Sequence, residues 1–207
     1  MDRGNDRTLI TGVGVLACNG IGREAFWDAL VNGKSGIGII NRFDPEEFPC
    51  KIAGQLWDFN PDDWLKKADV KRWHRPVHQA LAAAEMAVKD AELETAGYAP
   101  ERIAVGIGTS VGSLDESYED YKQVYADKGL SSVDRMASSA TSGHAATANV
   151  STRFGFRGPA ITIGSGCATG LDMIAWARHL IRSGAADAAV VGATEAPLNR
   201  MLFAATC

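Results

Sequence analysis

The chain has 207 residues, 46% hydrophobic and 22% charged, enough to bury the core of one domain or part of one. Its formal net charge of −4 argues against nucleic acid as a general partner, and no apolar run approaches membrane-span length. Cys18, Cys50, Cys167 and Cys207 have no paired spacing, which suits a reducing cytoplasm, and the polar residues Met1 to Arg7 do not read as a signal peptide.

Thr8 to Val13 reads as an apolar strand ending in glycines. The following Gly12-Val-Gly-Val-Leu-Ala17 imitates the dinucleotide fingerprint, which needs an acidic residue about 20 positions on. Asn32, Gly33 and Lys34 stand there instead, so a glycine turn packed against other elements is the better reading. Arg23 to Val31 reads as a short amphipathic helix stopped by Asn32-Gly33. Residues 34–65 look irregular, with a strand at Lys51 to Leu56 and turns at Pro45, Pro49 and Pro61.

Lys66-Lys-Ala-Asp-Val-Lys-Arg-Trp-His-Arg75 carries five basic residues and one acid, which by itself reads as a solvated face. It leads into a helix whose apolar positions Val77, Leu81, Ala84, Val88 and Ala91 repeat at threes and fours. His74 and His78 lie four apart, a zinc-like spacing. Arg75 follows His74 where a zincin helix needs glutamate, and Pro76 marks the first turn, so no metal is expected.

Arg102 to Gly108 is a continuous apolar run, as in a strand buried on both faces. Gly108-Thr-Ser110-Val-Gly112 then fits the nucleophile elbow of an α/β-hydrolase, with Ser110 as nucleophile. The acid would be Asp172 or Asp187, but the only later histidines are His144 and His179, the latter inside a helix, so that order is barely available. Tyr118 to Lys128 continues a helix, Gly129 to Arg135 is a loop, and Ala140 to Phe154 reads as one tightly packed helix rich in small residues.

Ala160 to Ile163 is a short β-branched run, broken by Gly164-Ser-Gly166. From Ala168 the period becomes helical, with Met173, Ile174, Ala177, Leu180 and Ile181 on one face, Gly184 as stop, and a buried strand from Ala188 to Val191. Cys167 therefore sits at a strand-to-helix corner, where free backbone N–H groups and the helix dipole favour a thiolate. Gly166 and Gly170 would keep bulk from the sulfur. A buried cysteine serving as a small hydrophobe remains the other reading.

Gly166-Cys-Ala-Thr-Gly-Leu-Asp172 resembles the nucleophile segment of the β-ketoacyl-acyl carrier protein synthases of the thiolase superfamily. The likeness extends through Ile10-Thr-Gly-Val-Gly-Val-Leu16, Asn32-Gly-Lys-Ser-Gly-Ile37, Ser142-Gly-His-Ala145, Gly155-Phe-Arg-Gly-Pro-Ala160 and Gly192-Ala-Thr-Glu195. It implies an α/β fold, the thiolase-like αβαβα layering, of which residues 1–207 would be about the N-terminal half. The recurring strand–helix units at 8–31, 102–128 and 160–184 agree with a mainly parallel sheet.

The resemblance also implies chemistry. Cys167 would take an acyl group from a carrier protein as a thioester, its own N–H supplying one oxyanion donor; malonyl-carrier then decarboxylates and its carbanion attacks. Val111 and Met136 would line the acyl pocket, Met136 reaching toward a dimer partner, and Lys71 and Arg72 would dock the acidic acyl carrier protein. His144 would be structural. No cofactor is implied, and the expected setting is cytoplasmic, as a homodimer or a ketosynthase heterodimer, with no nucleic acid and no membrane as partner. Gly164-Ser-Gly166 departs from many fatty-acid members and leaves fatty acid and polyketide synthesis both open, while Cys167 argues against the chain-length-factor partners, which lack it. Family members are about twice as long, and the histidine pair, a lysine and the second oxyanion donor belong to the other half. The apolar ending Met201-Leu-Phe-Ala-Ala-Thr-Cys207 reads as a cut through structured protein, so a complementary C-terminal half is expected as a partner. Without it, the alternative is a non-catalytic scaffold.

Overall fold

The computed structural model describes residues 7–112 and 123–207. Two small antiparallel ladders come first: β1 (Leu16–Ala17) with β2 (Gly20–Ile21), and β3 (Ile37–Ile39) with β4 (Ile52–Gly54). Helix α1 (Arg23–Val31) lies between them, and α2 (Lys67–Arg72) and α3 (Arg75–Asp90) follow. The main sheet is β5 (Ile103–Gly108), β6 (Ala160–Ile161) and β7 (Ala188–Ala193), parallel throughout, with β5 in the middle. Helices α4 (Ala137–Ala140) and α5 (Ala145–Phe154) connect β5 to β6, α6 (Thr169–Ser183) connects β6 to β7, and α7 (Arg200–Thr206) comes last.

Every residue of β5 is buried, and its two faces differ in kind. Ile103, Val105 and Ile107 point into a core with Val77, Leu81, Ala84 and Val88 of α3 and Val150 of α5. The expected apolar stripe of α3 is that core wall, and Pro76 stands in its first turn. The other face of β5 is nearly bare. A Cβ at Gly108 would sit 2.0 Å from the Thr169 methyl, and one at Gly106 would sit 2.9 Å from the Trp176 ring, so α6 lies almost on the backbone. Met173, fully buried, fills what space is left between them.

Polar groups fix the edges of this packing. Thr147 of α5 reaches the sheet where the short β6 ladder ends: its hydroxyl accepts from the Ile107 N–H at 3.1 Å and lies 2.6 Å from the Thr162 hydroxyl. That buried strand amide is satisfied by a side chain rather than by β6. At the opposite end Arg102 holds Asp187 through Nε and Nη2 at 3.0 and 2.7 Å, and Nη2 also donates to the Gly184 carbonyl at 2.9 Å. The hydrogen bond from Arg102 is the main cause that holds the Asp187 carboxyl below its usual range. Gly184, at φ 76, closes α6 in the left-handed conformation. A satellite cluster of Ile40, Phe48 and Phe203 seats α7 against the β3–β4 region, with the Phe48 and Phe203 rings 5.3 Å apart, edge to face.

Several expectations need correction. Thr8 to Val13 belongs to no ladder, because no described strand pairs with it, and Leu9 and Ile10 are 72% and 76% exposed. The strand expected at Lys51 to Leu56 shrinks to β4, whose partner β3 is only three residues long. The helix expected over Ala140 to Phe154 is two helices, since the Thr141 and Ser142 hydroxyls turn back onto the Ala137 and Ser138 carbonyls and end the first. In α1 the apolar residues Trp27, Leu30 and Val31 are exposed and only Ala29 is buried, because no described element covers that face. Ile174 leaves the expected stripe of α6, which turns Trp176 toward the sheet instead. Residues 123–128 are helical, and the rest of the helix expected from Tyr118 lies outside the described residues.

The glycine turn behaves as the packing reading requires. A Cβ at Gly12 would stand 2.2 Å from the Ala87 carbonyl oxygen, and one at Gly14 would stand 1.8 Å from that of Ala83. Backbone lies on the backbone of α3, which leaves no cradle for a phosphate there. The Arg23 guanidinium and the Val13 N–H both bind the Asp90 carboxylate, fastening this turn and α1 to the end of α3.

Candidate active site

Parallel strands send their carboxyl ends to one edge, and connecting loops gather there. The turns after β5, β6 and β7 carry Thr109 to Gly112, Thr162 to Ala168, and Thr194 to Glu195. The Thr109 N–H donates to the Ile163 carbonyl at 3.2 Å and the Thr194 N–H to the Gly108 carbonyl at 3.1 Å, so the three turns are joined directly.

Cys167 is exposed, in the single 3-10 turn Gly166–Ala168 that opens into α6. Gly166, at φ +68, supplies the left-handed residue that lets the chain swing from strand end to helix start. Thr169 organises the corner. Its hydroxyl accepts from the Ser165 N–H at 3.0 Å and donates to the Gly166 carbonyl at 2.7 Å, while its methyl lies on Gly108. Asp172, in the first turn of α6, accepts from the Ser165 hydroxyl. Both residues flanking the sulfur-bearing turn are thus held, and the cysteine itself is left uncovered. Gly170 has another task than the one expected: a Cβ there would meet Ala193 at 3.7 Å, so it borders β7 rather than the sulfur.

The turn after β5 is held from the turn after β7. The Glu195 carboxylate accepts from the Thr109 hydroxyl at 3.0 Å and from the Ser110 N–H, and the Thr109 hydroxyl accepts in turn from the Gly112 N–H at 3.0 Å. Ser110 meets Glu195 through its amide, and the two acids considered for a hydrolase triad are engaged elsewhere, Asp172 by Ser165 and Asp187 by Arg102. Val111, half-buried, stands on this turn, at the same sheet edge as Cys167. Met136 is 37% exposed at the start of α4, with its N–H donating to Asp134 at 2.7 Å. Lys71 and Arg72 are exposed in the last turn of α2, whereas Arg75 is taken up by the Phe59 ring at 5.6 Å.

A cleft of about 380 Å³ opens beside Glu195, lined also by Gly14, Cys18, Gln55, Gln79 and Thr194. Cys167 does not line it. The Cys167 thiol is exposed on a built turn rather than set deep in a cavity. Thr169 and Glu195 carry roles that the sequence motifs quoted without assigning; a hydroxyl two residues past the cysteine, at a helix start, was the available signal for the first.

A cysteine uncovered at a helix-opening turn, at the carboxyl edge of a parallel sheet, is an arrangement fit for covalent acyl transfer. Residues 5–207 match the family model described as β-ketoacyl synthase, N-terminal domain, and the chain belongs to that family. It is 36% identical over 204 residues to polyketide β-ketoacyl synthase 1 of Streptomyces cyaneus, covering 96% of this chain and 48% of the relative. It is 35% identical over 200 residues to 3-oxoacyl-(acyl-carrier-protein) synthase 2 of Staphylococcus aureus strain N315, covering 97% and 48%. Among solved structures it is similar to the ishigamide ketosynthase/chain length factor, with a TM-score of 0.86, 28% identity, and coverage of 95% of this chain and 49% of that one. A type II polyketide acyl-carrier protein in complex with its ketosynthase gives a TM-score of 0.80, 27% identity, and coverage of 96% and 47%. The fold is thus that of the thiolase-like ketosynthases, and the chain spans about half the length of the relatives it matches.

Proposed function

We propose that this chain is the cysteine-bearing half of a β-ketoacyl-acyl carrier protein synthase. The observation that carries the reading is Cys167, exposed on a turn whose flanking residues are both pinned, in a chain belonging to the ketosynthase family. The Cys167 thiol gives up its proton and its sulfur attacks the thioester carbonyl of an acyl carrier protein; the bond to the carrier's sulfur breaks, and that sulfur takes up the proton and leaves as a thiol. Malonyl-carrier loses carbon dioxide, and the resulting carbanion attacks the Cys167 thioester. The carbon–carbon bond forms as the carbon–sulfur bond breaks, and the cysteine thiolate is released. The N–H of Cys167 is one donor to the oxyanion formed in each attack. Val111 and Met136 line the acyl pocket, and Lys71 with Arg72 docks the acidic carrier.

The decarboxylation step is assigned to a complementary C-terminal half, on the same or another polypeptide. The chain's length relative to its relatives supports this, as do the apolar side chains left open on the 8–13 segment and on α6: Leu9 and Leu171 are each 72% exposed, and Ile174 is 47% exposed. The assembly is a homodimer or a ketosynthase heterodimer, and one related structure, described as a ketosynthase/chain length factor, supports the second. A cytoplasmic setting fits four cysteines that are all free; among the described residues no helix is long and apolar enough to cross a membrane.

Intact-mass measurement after adding acyl-carrier thioesters tests the loading step. One acyl increment is expected on the unmodified chain and on Ser110→Ala, and none on Cys167→Ala. Labelling that survives the cysteine change and disappears with the serine change would refute the assignment.

A further inference from the structure

We infer that Glu195 is a positioning residue that sets acyl-chain selectivity, by fixing the Thr109–Gly112 turn on which Val111 stands; this rests on the ketosynthase reading. The turn leaves the end of β5 with no strand to continue its ladder, so its amides need other acceptors. Glu195 supplies them from the turn after β7: it accepts directly from the Ser110 N–H and the Thr109 hydroxyl, and that hydroxyl passes the anchoring on to the Gly112 N–H. Residues on both sides of Val111 are therefore tied to one carboxylate.

The anchor is itself fixed. Thr194, 8% exposed, donates its N–H to the Gly108 carbonyl and its hydroxyl to the Pro76 carbonyl at 3.1 Å, so the backbone that carries Glu195 is bound to both β5 and α3. The turn it holds is free by comparison. Gly112 sits at φ +68, and among the described residues only Gly143 comes near the place a Cβ would occupy, at 3.8 Å. With the carboxylate gone, Thr109 keeps its backbone bond to Ile163, but Ser110 loses its acceptor and the Thr109 hydroxyl its own. Val111 then has a range of positions instead of one, and the far wall of the acyl pocket has no fixed depth. An amide oxygen at this position accepts the same bonds, so geometry, not charge, is what the role requires.

The test is carried out on the full protein containing this chain, measuring kcat/KM for Cys167 acylation across acyl-carrier thioesters of increasing length. The unmodified protein should show a length cut-off. Glu195→Ala should flatten the selectivity across that cut-off by about tenfold, the scale of one hydrogen bond, while Glu195→Gln should stay within about twofold of the unmodified profile. Thr109→Val, which removes only the hydroxyl link, should flatten it in the same direction and serves if Glu195→Ala does not fold. An unchanged cut-off in both Glu195→Ala and Thr109→Val overturns the inference while leaving the ketosynthase reading standing. Equal loss of loading in Glu195→Ala and Glu195→Gln overturns it too, since that is the mark of an acid–base group. Absence of acylation in the unmodified protein sinks the reading and the inference together.

Discussion

Replacing Thr169 by valine removes one hydroxyl and keeps the shape of a buried side chain, 3% exposed, at the corner that carries Cys167. Two short hydrogen bonds disappear, with a longer one of 3.5 Å to the Ser165 hydroxyl: the Ser165 N–H loses an acceptor at 3.0 Å and the Gly166 carbonyl loses a donor at 2.7 Å. A buried group left unpaired costs about 1–3 kcal/mol, and the open side of this turn lets water recover part of it, so a loss of about 1–3 kcal/mol in all is expected. At this chain length that lowers the Tm by about 2–4 °C for each kcal/mol. On the proposed function the larger effect falls on chemistry, because both bonds flank Cys167: its acyl loading should slow by about tenfold, as expected when a reacting group is misplaced without unfolding. Thr169→Ser keeps the hydroxyl, loses the methyl that lies on Gly108, and should retain loading while losing some stability. Denaturant titration and the time course of the acyl mass increment measure the two effects separately. If Thr169→Val unfolds at the unmodified midpoint and loads at the unmodified rate, the corner is not held as described.

Reversing Lys71 and Arg72 to glutamate should weaken capture of acyl carrier protein by about tenfold, mostly in the association rate, and added salt should weaken the unmodified pair; binding that ignores both would return these residues to a solvated face. Asp187 gives a pH-dependent prediction. Its carboxyl is held below the usual range by Arg102, so the pair's contribution is present above the carboxyl's unfolded pKa and is lost as pH falls through its folded one. Asp187→Asn should be less stable than the unmodified chain at neutral pH, with the gap closing in acid; a gap that stays constant through the acid range contradicts the assignment.

How much was legible beforehand depended on whether a signal was local. The α3 stripe, the wholly apolar β5 run, the helix from Thr169 and its glycine stop were written in period and breaker, and the structure has them within a residue or two. Cys167 at a strand-to-helix corner followed from the same signals. Pairing partners were not legible: Thr8 to Val13 has the composition of a strand, yet a strand exists only where another lies beside it. The links that complete the site were hidden for a related reason. Glu195 meets Thr109 across 86 positions, and Thr194 meets Pro76 across 118, distances at which spacing says nothing. Gly108 looked like part of a motif and proved to be the seat of a helix.

The unequal faces of β5 have a consequence for how this protein can change over time. On one side Ile103, Val105 and Ile107 meet α3 and α5 through interchangeable methyl groups, where exchanges of similar volume can be absorbed by neighbours. On the other, Gly106 and Gly108 bring no side chain, and Thr169, Met173 and Trp176 of α6 press directly on the strand's backbone, so the strand itself has nothing to exchange and nothing to yield. Divergence on the first side need not travel to the second. The helix that presents Cys167 is in effect referenced to the strand's own main chain, whose dimensions no mutation alters. Relatives could remodel most of one core wall and still deliver the sulfur to the same place.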